Sequence, residues 1–372
     1  MFRFVHSSDL HIGKRFGNMP EELRGRLREA RHMALERLAR EARATGAGTI
    51  LLAGDSFDTE TPSPAMLRQA LSAMAGAPLR WIVLPGNHDS LLADDLWAAA
   101  QGALPDNVHL ALTPEPLLFD GAAILSAPCT TRRPGRDLTE WMDDAATADG
   151  VIRIGLAHGP VQSFSEDGVG ADVIAPNRPA RAGLDYLALG DWHGQMRIGE
   201  RCWYSGAPEP DRFKHDQPGR ALLVSIAAPG APADVAPIET GSFDWRTVPL
   251  DLLSGDDAVA ALARALPAAA MRRHALLRIS ASGRTSPAMR SALEQAVARE
   301  APEFGLLELD MDGLATDCEA GDLDAIDRAG ALRQAAEALL AESNDEARSS
   351  AEREVASSAL LRLFSYCEAL RA

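Results

Sequence analysis

Five times before Gly194, an apolar run ends directly in side chains able to hold a metal ion. The runs Phe2–His6, Thr49–Ala53, Trp81–Pro85, Val151–Ala157 and Tyr186–Leu189 read as strands covered on both faces, because they are short, uninterrupted and bounded by turn residues. They lead into Asp9-x-His11, Gly54-Asp55-x-x-Asp58, Gly86-Asn87-His88-Asp89, His158-Gly159 and Gly190-Asp191-x-His193. Loops at strand ends of an α/β sheet converge on a crevice, so residues distant in sequence meet there. Asp and Asn offer hard oxygens and His a borderline nitrogen, a mixture that suits Mn, Fe, Zn or Co better than Ca. Each fragment alone is common. Together, in order and at strand ends, they demand an α/β fold with a metal-holding crevice.

Between the first two strands, Leu23, Leu27, Ala30, Ala34 and Leu38 recur at three- and four-residue steps, which predicts a helix over Glu21–Arg43. A second helix is expected over Pro64–Ala75, with proline in its first turn. Later strands, Ala221–Ile226 and Trp245–Leu250, follow without helices between them, and Ala227–Asp234 reads as a surface loop. The expected fold class is α/β, a layered β-sandwich flanked by helices rather than a barrel. Three regions are expected: 1–253 with the metal motifs, 254–322 as a small α+β module, and 323–372 as a helical region. The module would comprise strand Ala275–Ser280, helix Ser286–Arg299 and strand Leu306–Met311.

The chain of 372 residues carries 53 acidic against 37 basic residues, net −16. That balance excludes a protein that coats nucleic acid or membrane by bulk charge. Half of the excess lies beyond residue 250, where 21 acidic residues face 13 basic ones. No apolar stretch approaches the roughly 20 residues of a membrane helix, and the N-terminus reaches polar residues too soon for a secretory signal. Four scattered cysteines (Cys129, Cys202, Cys318, Cys367) fit neither a disulfide framework nor a zinc ribbon, and point to a reducing cytoplasm.

The motif set resembles the calcineurin-like metallophosphoesterases, whose pattern is DxH, GDxxD, GNHD, a later His and GHxH. Finer matches resemble the SbcD-type DNA repair exonuclease branch: His6-Ser7-Ser8-Asp9-Leu10-His11-Ile12-Gly13, then Gly54-Asp55-Ser56-Phe57-Asp58-Thr59 with Pro62, then Tyr204-Ser205-Gly206-Ala207-Pro208 with Phe213 and Gly219. The resemblance covers residues 1–250, and the 254–322 module is similar to the branch's capping domain in position and pattern. It implies a DNA exonuclease or endonuclease with two divalent ions, Mn²⁺ first, with Mg²⁺, Fe²⁺ or Zn²⁺ as alternatives. Carried over, the first ion takes Asp9, His11, Asp55 and His193; the second takes Asp55, Asn87, His158 and Asp191. His88 would stabilise or protonate the leaving oxygen, with Asp89 orienting its ring, and Asp58 would brace its loop. Asp191 departs from the pattern, which has His there; as a ligand it favours a harder ion.

Lys14, Arg15, Arg132 and Arg133, with Arg136, are candidates to meet DNA phosphates. The Arg24, Arg28, Arg31 stripe is interleaved with glutamates and reads as a solvated, ion-paired face. Near the C-terminus Val355, Ala359, Leu363, Cys367 and Leu370, widened by Leu360 and Phe364, form a helical stripe. It suits the protein's own core or docking onto a partner. In the resembled branch that partner is a coiled-coil, SMC-like ATPase of the SbcC type; the branch also admits a homodimer. Two other functions stay open: a phosphoesterase for nucleotides or cyclic nucleotides, and a non-catalytic subunit with a degenerate metal site.

Overall fold

The computed structural model describes residues 1–161, 173–215, 217–318, 321–327 and 329–370. It divides into two compact units, Met1–Trp245 and Arg246–Ala372.

The first unit holds two six-stranded sheets. Parallel strands β1 (Phe2–Ser7), β2 (Thr49–Ala53), β3 (Arg80–Leu84) and β4 (Val108–Leu110) form the body of one. The second comprises β5 (Pro116–Phe119), β6 (Ala122–Ala127), β7 (Ile152–His158), β8 (Tyr186–Gly190), β9 (Met196–Gly199) and β10 (Cys202–Tyr204), in the order 5-6-7-8-10-9. Its inner strands are parallel and its outer two antiparallel. Then β11 (Arg220–Ile226) and β12 (Asp234–Glu239) return antiparallel to the first sheet beyond β1.

The alternation of side chains along β2 shows why these strands are apolar throughout. Leu51 and Ala53 join Phe4, Ile154 and Tyr186 in the core between the sheets. Ile50 and Leu52 point the other way, into a core with α1 (Glu21–Ala44), α2 (Pro64–Ala75) and α3 (Asp94–Gly102). The far side of the second sheet is packed by Met142, Ala182 and Leu184, around the short helix α4 (Arg178–Arg181). The result is the layered, helix-flanked sandwich expected from sequence. Helix α2 starts where predicted, because Ser63 Oγ caps the Met66 N–H at 3.3 Å and Pro64 needs no partner.

In the second unit β13 (Asp244–Leu252), β14 (Ala275–Thr285) and β15 (Leu306–Thr316) form a three-stranded sheet. Helices α5 (Ala258–Ala265) and α6 (Ala269–Arg272) follow β13, and α7 (Pro287–Glu300) crosses between the parallel strands β14 and β15. The division at Trp245/Arg246 falls inside β13, so all but the first two residues of that strand belong to the second unit. Helices α8 (Ala331–Asn344) and α9 (Ser350–Ala369) share a separate apolar cluster. Its members on α9 are Leu360, Phe364 and Cys367, with Leu363 packed against them, whereas Val355 and Leu370 are exposed. The C-terminal stripe is therefore split: most of it packs on its own helical pair. No helix among the described residues is long and apolar enough to cross a membrane.

Candidate metal centre

The loops that follow β1, β2, β3, β7 and β8 bring the five motifs together. Backbone hydrogen bonds zip the first two: Asp9 N–H to Gly54 O (3.1 Å), His11 N–H to Asp55 O (2.9 Å) and Ile12 N–H to Ser56 O (2.9 Å). Asp9, His11, Asp55 and Asp191 have φ of 56°, 45°, 53° and 100°. Such backbone costs on the order of 1–3 kcal/mol per residue and persists only where its surroundings enforce it. Glycine serves close approach here. A Cβ on Gly54 would lie 2.3 Å from His158 Nδ1, and one on Gly86 would lie 2.2 Å from Asp55 Oδ1.

Three imidazoles share one arrangement. His193 Nδ1 lies 3.1 Å from Asp211 Oδ1, His11 Nδ1 lies 3.2 Å from Asp58 Oδ1, and His158 Nδ1 lies 2.8 Å from Ala53 O. In the neutral ring an acceptor beside Nδ1 keeps the proton there and leaves an Nε2 lone pair facing inward. His11 and His193 then oppose Nε2 to Nε2 at 3.2 Å, with Asp9 Oδ1 3.8 Å from His193 Nε2. Asp55 Oδ2 lies 3.5 Å from His11 Nε2 and also 3.5 Å from His158 Nε2. On the His158 side, Asp191 Oδ1 is 3.9 Å from His158 Nε2 and 3.5 Å from Asn87 Nδ2. His158 Nε2 and Asn87 Oδ1 are buried without a hydrogen-bond partner among the described residues. Facing lone pairs, carboxylates and an orphaned amide oxygen in one buried ring need cations between them. The residues present therefore fit divalent ions; Asp9, His11 and His193 form one metal-competent group, and Asp9, Asp55 and His158 another.

The protonation pattern says the same. Burial opposes charge on His158, yet Asp55, Asp9 and Asp191 outweigh it and lift its pKa to about 9. Burial also opposes the Asp9 anion, but His193, His158 and His11 hold its carboxyl below the ordinary value. The Asp191 carboxyl is raised by burial, with His158 opposing and Asp9 adding to the rise.

The other expected residues divide. His88 reaches the ring, with its N–H donating to Asp55 Oδ1 at 2.9 Å and its imidazole edge-on to His11, 4.8 Å between centres. Asp89 does not orient it. That carboxylate is fully buried and accepts from Phe57 N–H (3.0 Å) and Gly86 N–H (2.6 Å), so it shapes the loops behind the ring. Burial and then Asp55 push its pKa up to about 7. His88 is oriented instead by the Asp58 carbonyl, 3.0 Å from its Nδ1. Lys14 is also redirected: its Nζ donates to Asp211 Oδ2 at 2.6 Å. Arg15, Arg132 and Arg133 are exposed, and Arg132 lines a cavity with Asn87 and His88. Arg31 is not on a solvated face. It is buried, donating to the carbonyls of Leu10, Asp9 and Glu209 with Asp211 3.5 Å away, and so holds the first metal loop in place.

Asp211 escaped the sequence reading. It gathers Lys14, Arg31, Arg212 and His193, and although burial opposes its anion, His193, Arg31 and Arg212 hold its carboxyl far below the usual range. The only sequence signal was its place shortly after Tyr204–Pro208, the segment resembling the SbcD branch.

The chain resembles known proteins over its first half. An uncharacterized metallophosphoesterase, YhaO of Bacillus subtilis (strain 168), is 28% identical over 206 residues, covering 51% of this chain. The chain spans about half of that relative, 48% of its length. The solved structure of TT1561 of Thermus thermophilus is 11% identical with a TM-score of 0.40, over 63% of this chain and 98% of that one. The family model for calcineurin-like phosphoesterases matches residues 2–195, which span the whole donor ring, and the chain belongs to that family.

Proposed function

We propose that this chain is a two-metal phosphodiesterase that cleaves DNA, with Asp55 shared between the ions. One observation carries the reading: Asp55 Oδ2 is equidistant, 3.5 Å, from His11 Nε2 and His158 Nε2, one imidazole on each half of the ring. Asp9, His11 and His193 would complete one ion's donors, and Asn87, His158 and Asp191 the other's. Mn²⁺ suits this oxygen-and-imidazole set. When bound, paired divalent ions polarise a phosphoryl oxygen and lower the pKa of water.

The chain's own groups supply the rest. Asp58 O accepts from His88 Nδ1 at 3.0 Å, so it is the imidazolium form, with a second proton on Nε2, that stabilises or protonates the departing oxygen. Arg132, beside His88 and with no ion-pair partner among the described residues, supplies positive charge for a phosphate. DNA as the substrate is supported by the likeness of the first, second and Tyr204–Pro208 segments to the SbcD branch.

The test is digestion of linear duplex and single-stranded DNA with added Mn²⁺, against bis(p-nitrophenyl) phosphate as a small diester. Cleavage of both DNA and diester is expected, with His88→Ala lowering the rate by about 10²–10⁴-fold while metal content holds. Cleavage of the small diester alone would leave a small-substrate enzyme, and cleavage of neither by a metal-loaded chain would end the catalytic reading.

A further inference from the structure

Beside the donor ring lies a cavity of about 220 Å³ lined by Val161, Trp192, Met196, Ile198 and Tyr204, with Asp191 common to cavity and ring. Its wall offers few hydrogen bonds. The Tyr204 hydroxyl donates to Gly159 O at 2.8 Å and accepts from Val161 N–H at 2.9 Å, so the phenol presents only its ring. Trp192 lies between Asp191 and His193, and it is half-buried. Lys214 Nζ sits 5.2 Å from the indole centre, and the His215 ring meets it edge-on at 4.7 Å. Of the chain's two lysines, Lys14 is held by Asp211 and Lys214 lies at Trp192.

We infer that this cavity is a subsite for the nucleobase next to the scissile phosphate, with Trp192 as its stacking surface; the inference rests on the phosphodiesterase reading. Because Asp191 belongs to both, an occupant of the cavity and a phosphoryl group at the ring are neighbours. An apolar, aromatic wall whose phenol is already paired accepts a planar π-face and offers few groups to discriminate among bases by hydrogen bonds. Whole-ligand pockets run to about 300–1,000 Å³, so this one holds a ring system and leaves the sugar and phosphate outside. Exposed Lys214 at the indole places a cation where the adjoining phosphate would pass.

Equilibrium binding decides the matter without turnover. The Mn²⁺-loaded full chain is titrated with thymidine 5′-monophosphate, deoxyadenosine 5′-monophosphate, deoxyribose 5-phosphate and phenyl phosphate. Base stacking predicts that both nucleotides bind roughly five- to 150-fold more tightly than the abasic sugar phosphate. Trp192→Ala should remove that advantage and Trp192→Phe should keep most of it; Ile198→Glu, which places a charge in the cavity, should abolish it by a second route. Equal affinities in the native chain, or an advantage that survives Trp192→Ala, overturn the subsite. Phenyl phosphate binding as tightly as the nucleotides replaces it with a general aryl pocket. Failure of DNA hydrolysis would sink the proposed function, while the affinity ratio judges the subsite separately.

Discussion

The half of the ring made by Asp9, His11 and His193 is held differently from the half made by Asn87, His158 and Asp191. In the first, carboxylates stand behind both imidazoles, Asp58 at His11 and Asp211 at His193, and Ser8 Oγ donates to Asp9 at 2.5 Å. Burial holds the His11 pKa below its ordinary value, so that ring is neutral and ready to ligate. In the second half a backbone carbonyl stands behind His158, Asn87 Oδ1 has no hydrogen-bond partner among the described residues, and burial notwithstanding the carboxylates around His158 lift its pKa to about 9. One half is therefore preorganised for a cation, and the other uses a proton in place of one. The departure from the family pattern, Asp191, falls in the second half.

Asp55 ties the halves together, so its replacement has the largest expected effect. Asp55→Asn should reduce bound metal at both positions and take hydrolysis to background, because it removes the carboxylate that lies 3.5 Å from both imidazoles. Metal analysis of the purified variant checks it; two retained ions would mean that the halves are independent. Asp191→Ala comes next, and it separates them. Loss of one bound ion with the other kept is the expected outcome, and unchanged metal content would reduce Asp191 to a turn residue.

Asp211→Asn probes the preorganised half from behind. The amide cannot hold the His193 Nδ1 proton as a carboxylate does and leaves Lys14 and Arg31 without their shared anion. Groups that orient metal-ligating histidines are typically worth about 10–100-fold in metal affinity or activity. Calorimetric titration should therefore show one ion weakened by that factor while the other is little altered.

The sequence reading reached the front of this site and stopped at the groups behind it. The metal motifs were legible because each follows an apolar run, and β2 and α2 have the bounds expected of them. Strand β6, Ala122–Ala127, was missed because alanine-rich segments show neither strand nor helix periodicity, although every residue in it is buried. Asp211 was illegible for another reason: its partners lie as far away as Lys14 and Arg31, and no local spacing encodes such a meeting. Arg31 shares the inward face of α1 with Leu27, Ala30 and Ala34, a face on which apolar periodicity anticipates no charge. The misassignment of Asp89 to His88 has the same root. Adjacent residues in a tight loop point in different directions, and Asp89 turns to the amides of Phe57 and Gly86.

The last expected effect is a pH dependence that distinguishes the halves without mutation. The His158 pKa is raised from an ordinary 6.5 to about 9 in the metal-free protein, so below that value an incoming ion must displace its proton. Apparent affinity at this half should rise by about tenfold per pH unit up to about pH 9 and level off above it. The half built on neutral His11 lacks that proton and should respond less across the same range. Titration calorimetry in buffers of different ionisation enthalpy reads the proton directly. Near pH 7.5, about one proton should be released for the weaker ion. If affinity instead levels off near pH 6.5, His158 is an ordinary imidazole, and the three carboxylates around it do not act together.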